Sequence, residues 1–197
     1  AGGNKSFFVR RALPHRAVSG LCFGYPPSPV SNPLMTVEPR AFRDTLGRYP
    51  TGVSIITTTD DAGVWSGATI GSFSSLSLSP PLVLFCLDKS ALCHPAFMKA
   101  KVYGVNVLAE DQTDLSNIFA SRNARPWDDL STRVGKTGAP LLADCVAWIE
   151  CEMEAIHPGG DHDIFVGRAV AIEAAPAGRP LLYFGGGYRK LEPDEVQ

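Results

Sequence analysis

The sequence predicts a mainly β, α+β domain, best drawn as an antiparallel barrel with a few short helices appended. Three observations predict it. Short β-branched or alternating segments recur from residue 52 to residue 188. Helical periodicity is confined to a few brief stretches. Strands and helices do not alternate regularly, which argues against a doubly wound parallel sheet.

The elements follow in chain order. AFRDTLGRYP (41–50) reads as a short helix, with Phe42, Leu46 and Tyr49 at helical spacing and Pro50 as its stop. GVSIITTTD (52–60) is β-branched and reads as one strand, closed by a turn at DDAG. WSGATIGSFSSLSLSPP (65–81) is rich in hydroxyls and reads as extended chain. One parity holds Ile70, Ser72, Ser74, Leu76 and Leu78, and the leucines mark it as the core face. PLVLFCLD (81–88) reads as a buried strand, HPAFMKAK (94–101) as a short helix and YGVNVL (103–108) as another strand. DQTDLSNIFAS (111–121) reads as a helix capped near Asp111 or Thr113, with Leu115, Ile118 and Phe119 facing inward. Residues 122–138 are loop-rich. VAWIECEMEAI (146–156) alternates and pairs with DIFVGRAVAIEAA (163–175) through HPGGDH. Glu150, Glu152 and Glu154 share one parity and are expected to be solvated or paired with arginine. PLLYFGGGY (180–188) is a last strand with a glycine turn.

Composition bounds the function. The 197 residues are 45% hydrophobic and 19% charged, with a net charge of −2. A chain of this size buries enough surface to fold without staples. Nothing in the charge balance points to nucleic acid or an anionic membrane. No apolar run reaches the roughly 18 residues of a membrane-spanning helix. Five cysteines are spaced without a CxxC, and Cys86 and Cys145 read as small buried hydrophobes. This suits a reducing, cytoplasmic setting better than a disulfide framework.

Residues 1–38 form a separate region, a basic and proline-rich N-terminal extension, and the folded domain is expected over 39–197. Residues 1–34 carry Lys5, Arg10, Arg11 and Arg16 and no acidic residue. A flexible arm, sequence upstream of a natural start at Met35, and a transit peptide all fit this composition. A nucleic-acid arm fits least, because so few charges bind weakly at physiological salt.

The hydroxyls of 65–81 admit two readings. They meet water along an edge strand, or they line a site for an anion or polyol, where small residues let backbone approach a ligand. Lys89 and Ser90 follow the next strand and are placed to close such a site. GxGxxG, GxxxxGK[ST] and GxSxG are all absent, which removes the Rossmann, P-loop and hydrolase-elbow readings. His157 and His162 flank PGGD, beside Asp161 and Asp163. A turn of this kind supplies too few ligands for a metal site. A solvated hairpin histidine and a ligand contact by His162 remain. Cys93–His94 is a poor nucleophile pair, because adjacent residues rarely face each other. Trp127 fits a lid or a dimer contact.

The order of FRDTLGRYPTGVSIITT, GATIGSFSSLSLSPPLVLFCLDKSA, YGVNVLAEDQTDLSNIFA, GDHDIFVGRAVAIE and PLLYFGGGYRKL resembles the flavin reductase-like domain over about residues 39–191. More narrowly, it is similar to the small reductase component of two-component flavin-dependent monooxygenases. The resemblance implies a split antiparallel β-barrel of the FMN-binding flavin reductase type, working as a homodimer. It implies NADH or NADPH reducing FMN or FAD, with the reduced flavin passing to a separate monooxygenase. It places Tyr49, Pro50, Thr51, Gly52 and Val53 beside the flavin. Thr69, Ile70, Gly71, Ser72, Phe73, Ser74 and Ser75 would wrap its ribityl chain and phosphate, with Lys89 and Ser90 adding contacts. Asn106 would lie near the ring system, Phe119 and Arg122 on one side and Tyr188 on the other. Gly160, Asp161 and His162 would meet the nicotinamide nucleotide, His162 with a possible assisting role. The family often carries Asn or Ser where this chain has Gly71, which removes a side-chain donor and leaves the backbone one. Hydride transfer between two cofactors needs no general base from the protein, and no acid–base constellation is seen. No arginine pair is set aside for a 2′-phosphate, which tilts the choice toward NADH. Two other readings stay open: a flavin- or haem-binding protein without reductase turnover, and a reductase of another acceptor, such as a corrinoid, with flavin as bound mediator.

Overall fold

A computed structural model describes residues 37–121 and 127–192. Helix α1 (Pro39–Leu46) starts as its sequence dictates. Pro39 occupies the first turn, and the Glu38 carboxylate accepts from the N–H groups of Arg40 and Ala41 at 3.0 and 2.8 Å. These bonds hold the Glu38 carboxyl below its usual range. The helix stops at Gly47, and its apolar side chains Phe42 and Leu46 are exposed, as is Tyr49 beyond it.

The expected strand over 52–60 is divided. Val53 separates β1 (Thr51–Gly52) from β2 (Ser54–Thr59) because the two join different sheets. β3 (Trp65–Ile70), β4 (Ser74–Leu78) and β5 (Pro81–Asp88) follow, then the short α2 (His94–Phe97) and β6 (Val102–Val107). α3 (Thr113–Ala120) has Gln112 at its N-cap rather than Asp111 or Thr113. The Gln112 amide is drawn elsewhere, accepting from Ala109 N–H and donating to the Ala143 carbonyl. Phe119 is buried, with Leu115 and Ile118 packed half-buried beside it. β7 (Thr132–Val134) and β8 (Pro140–Leu142) make a small ladder. β9 (Ala147–Gly159) and β10 (His162–Ala174) form the long hairpin, whose two-residue turn uses Gly160 at φ +72°. β11 (Leu182–Phe184) and β12 (Gly187–Arg189) are joined through Gly185 and Gly186, both at positive φ, as a type I′ turn requires.

Seven strands form one antiparallel sheet in the order β3-β2-β6-β9-β10-β5-β4. Its two edge strands, β3 and β4, are consecutive in sequence and joined only by residues 71–73. In a flat sheet, the strand spacing of about 4.8 Å would hold the edges about 29 Å apart. The connection reaches at most about 15 Å. The sheet must therefore curl until its edges approach. Ser72 ties the seam: its hydroxyl donates to the Cys86 carbonyl at 3.0 Å and accepts from the Cys86 N–H at 2.9 Å.

Two apolar clusters fill the interior. In the first, Phe85 stacks on Phe165 at 4.9 Å and meets Tyr103 and Phe97 edge-on. The second gathers Val53, Ile55, Leu108, Phe119, Leu142, Cys145 and Leu181. Ile55 and Ile56 point into different clusters, so β2 is buried on both faces, which is why it shows no alternation. Leu76 and Leu78 do not anchor β4. They are 50% and 95% exposed, because a register shift between Ser75 and Ser77 breaks the simple alternation. Glu150 is buried rather than solvated. Burial raises its carboxyl, but hydrogen bonds from the N–H and hydroxyl of Thr137 outweigh that and hold it below its usual range. Glu154 pairs with Arg168. Among the described residues, no helix is long and apolar enough to cross a membrane.

Gly167 sits where the Tyr103 ring crosses β10: a Cβ there would lie 2.5 Å from ring carbon Cε1. Gly167→Ala is expected to destabilise the fold by about 1–3 kcal/mol through overpacking. The midpoint of urea unfolding, at unchanged m-value, measures it.

Candidate functional site

The curl leaves a cleft of about 1080 Å³ between the free edge of β3 and the end of β5. One wall is β3 itself, from Trp65 through Gly71 and Ser72. As an edge strand it keeps a row of backbone N–H and C=O groups free of a ladder partner. The facing wall is Cys86, Leu87, Asp88 and the segment Ser90–Cys93. Phe119, Ala120 and Ser121 at the end of α3 join Trp127 to close one end, and His162 stands at the hairpin end. Trp127 meets both Trp65 and Phe119 edge-on, at 5.5 and 5.1 Å between ring centres. Gly67 permits this wall, since a Cβ there would fall 2.9 Å from Phe119.

The described lining contains no lysine or arginine, so an anion here depends on hydroxyls and backbone N–H groups. Not every hydroxyl is available. Thr69 donates to the Ser116 carbonyl at 2.7 Å, and the Ser72 proton is committed to Cys86. Two of the serines and threonines that the sequence offers to a ligand thus hold backbone first.

Of the positions named from sequence, the cleft gathers Thr69, Ile70, Gly71, Ser72, Ser90, Phe119 and His162. Others stand elsewhere. Tyr49 and Pro50 are exposed between α1 and β1, and Thr51 and Gly52 pair with β11. Gly71 packs against Thr51: a Cβ would lie 3.0 Å from its hydroxyl. Val53 is in the core, Phe73 is half-buried against it, and Ser74 and Ser75 are exposed on β4. Asn106 is fully buried with its amide saturated: Nδ2 donates to the Ile55 carbonyl and the Thr57 hydroxyl, and Oδ1 accepts from Leu142 N–H. The structure gives it to the junction of β2, β6 and β8. Lys89 turns to the hairpin, its ammonium on the Gly160 carbonyl at 2.6 Å. Gly160 and Asp161 make the turn, where Asp161 Oδ1 is 2.8 Å from His162 Nδ1. That contact holds the Asp161 carboxyl below its usual range. The Tyr188 hydroxyl meets Ser116 and Asn117 on α3. Arg122 lies outside the described residues.

Trp65, Leu87, Asp88 and the segment Ala91–Cys93 were not picked out as site residues from sequence. Only β3's place at a sheet edge, which a local pattern does not reveal, exposes them to one cleft. Cys86 is half-buried in the cleft wall rather than in the core, with its thiol raised by burial, as is that of Cys93. Burial lifts Cys145 to about 12 and Cys151 to about 11. Among the described residues, no cluster of three or more His, Cys, Asp or Glu is placed to hold a metal ion.

The fold is thus a mainly antiparallel β domain with a large cleft walled by glycine, hydroxyls and aromatic rings among its described residues. Comparison with known proteins makes it particular. Residues 46–192 match the flavin reductase like domain, and the chain belongs to that family. It is 41% identical over 160 residues to the flavin-dependent monooxygenase reductase subunit HsaB of Rhodococcus jostii, covering 81% of this chain and 82% of that one. It is 42% identical to the FMN reductase (NADH) SmoA of Agrobacterium fabrum, covering 77% and 86%. The NADH:FAD oxidoreductase SgcE6 of Streptomyces globisporus, solved with NAD and FAD fragments, superposes with a TM-score of 0.76 at 35% identity, covering 82% and 99%.

Ser72→Ala breaks both bonds to Cys86 at the seam. The expected loss is about 1–2 kcal/mol of folding stability. Chemical denaturation measures it, and unchanged stability would mean that the two bonds give no net stabilisation at the seam.

Proposed function

We propose that this chain is an NADH-dependent flavin reductase that takes FMN or FAD as substrate and supplies reduced flavin to a separate monooxygenase. One observation carries the reading: the cleft combines aromatic walls with backbone and hydroxyl donors and has no lysine or arginine among its described lining residues. That chemistry fits the substrates. The rings of Trp65, Phe119 and Trp127 suit a planar, apolar ring system and exclude water from it. The free edge of β3 and the Ser90 hydroxyl supply donors for a ribityl chain and phosphate. His162 offers a hydrogen bond to a nicotinamide amide or a phosphate. The absence of a lysine or arginine for a 2′-phosphate among the described lining favours NADH over NADPH.

The nicotinamide nucleotide and the flavin would themselves supply the hydride-transfer chemistry when bound. The protein's part is to orient the two and keep water out. Few charged contacts leave the flavin held moderately, which suits a substrate that must depart. Thr69–Ser72, Ser90, Phe119 and His162 are the positions we keep as ligand contacts, while Asn106 supports them from the core.

The fold name that accompanies this reading is a split antiparallel β-barrel, supported by the curled sheet whose edges meet at residues 71–73. A homodimer is part of it as well. Phe42, Leu46 and Tyr49 near α1, Leu76 and Leu78 on β4, and Ile172 on β10 present apolar side chains to solvent that a second copy would cover. Sedimentation equilibrium is expected to return twice the chain mass, and a monomer would reject the dimer.

Loss of NADH absorbance at 340 nm tests the function. Oxidation that requires added FMN or FAD and saturates with it is expected. Turnover without added flavin would point to a retained mediator, and no turnover with either flavin would overturn the reading.

A further inference from the structure

Asp163 is a charged residue only 7% exposed, at the base of the β9–β10 hairpin. A carboxylate so far from water must be matched by donors. His94 Nε2 lies 2.8 Å from its Oδ2, and Lys89 Nζ lies 3.6 Å from its Oδ1. An ionised carboxylate only accepts, so the His94 Nε2 carries the proton. The two donors bracket the segment Ser90–Cys93, which is one wall of the cleft. Lys89 ties the same segment to the hairpin twice more, through its N–H to the Asp161 carbonyl at 3.0 Å and its ammonium to the Gly160 carbonyl. Phe165 packs edge-on against the His94 ring, so the arrangement is braced by the aromatic core. Next to Asp163 stands His162, the hairpin's contribution to the cleft. Asp163 thus lies where the cleft wall and the hairpin are joined, outside the residues that line the cleft.

We propose that Asp163 is a positioning residue for the nicotinamide nucleotide. By gripping His94 and Lys89 it locks residues 88–94 against the hairpin and sets where His162 stands in the cleft. The proposal rests on the flavin reductase reading above.

Asp163→Asn tests it by steady-state kinetics and amide hydrogen exchange. The expected result is a KM for NADH raised about tenfold, with kcat and the KM for flavin within about twofold of wild type. Exchange should quicken at residues 88–94 and 159–163 and stay unchanged in β2 and β6. His94→Gln keeps a donor for the carboxylate and should stay near wild type, whereas His94→Ala should reproduce the loss. That pair decides the matter even where Asp163→Asn fails to fold. Equal increases in KM for NADH and flavin, equal behaviour of the two His94 variants, or unchanged exchange at 88–94 would each overturn the proposal. Wild-type protein that oxidises no NADH would overturn the functional reading and the nicotinamide role with it. Exchange at 88–94 would then still report whether the clamp exists.

Discussion

Three residues, Gly71, Ser72 and Phe73, carry the chain from one edge of a seven-stranded sheet to the other. Almost everything else follows from that short reach. The sheet has to curl, and curling gives it an inside. The aromatic cluster around Phe85 and Phe165 fills that inside, and Gly167 and Gly104 are small because Tyr103, Leu141 and Thr57 press on them there. Curling also stops short of sealing the sheet. Where β3 draws near β5 without forming a ladder, backbone groups are left pointing into a cleft. The cleft is the remainder of an incomplete closure, and the Ser72–Cys86 pair marks where closure ends.

This explains why a chain heading into its own core carries so many hydroxyls. Ser72 stands in for a main-chain partner of Cys86 where the ladder is interrupted, and Thr69 ties β3 to α3 through the Ser116 carbonyl. Among the described lining residues the remaining donors include no lysine or arginine. A site made this way grips a phosphate less firmly than an arginine pair would. For an enzyme whose product has to leave, weak holding is useful. Beside the cleft, the Asp163 carboxylate is matched internally by His94 and Lys89.

Some of this was legible in the sequence. The spacing of Phe42, Leu46 and Tyr49 announces α1, HPGGDH announces the hairpin, and the glycine run at 185–187 announces a turn, because each is a local signal with a local cause. Other features had no local cause to read. Leu76 and Leu78 follow the right parity for a core face, but a register shift in an edge strand turns them outward. Asn106 looks like a polar residue waiting for a ligand until β8, remote in sequence, supplies the Leu142 N–H that completes it. Trp65 and Trp127 are 62 positions apart, and only tertiary structure makes them one wall. The family resemblance named stretches for a site, and of these the cleft gathers Thr69 to Ser72, Ser90, Phe119 and His162.

The thiols have a chemical consequence of their own. Reduced flavin that meets dioxygen before its partner yields hydrogen peroxide, so a protein that releases it works inside a source of oxidant. Peroxide attacks thiolates far faster than thiols. Burial keeps Cys145 and Cys151 protonated well above neutral pH and raises Cys86 and Cys93 in the cleft wall. Burial in the core at Cys145 and Cys151, and in the cleft wall at Cys86 and Cys93, therefore disfavours the thiolate that peroxide attacks.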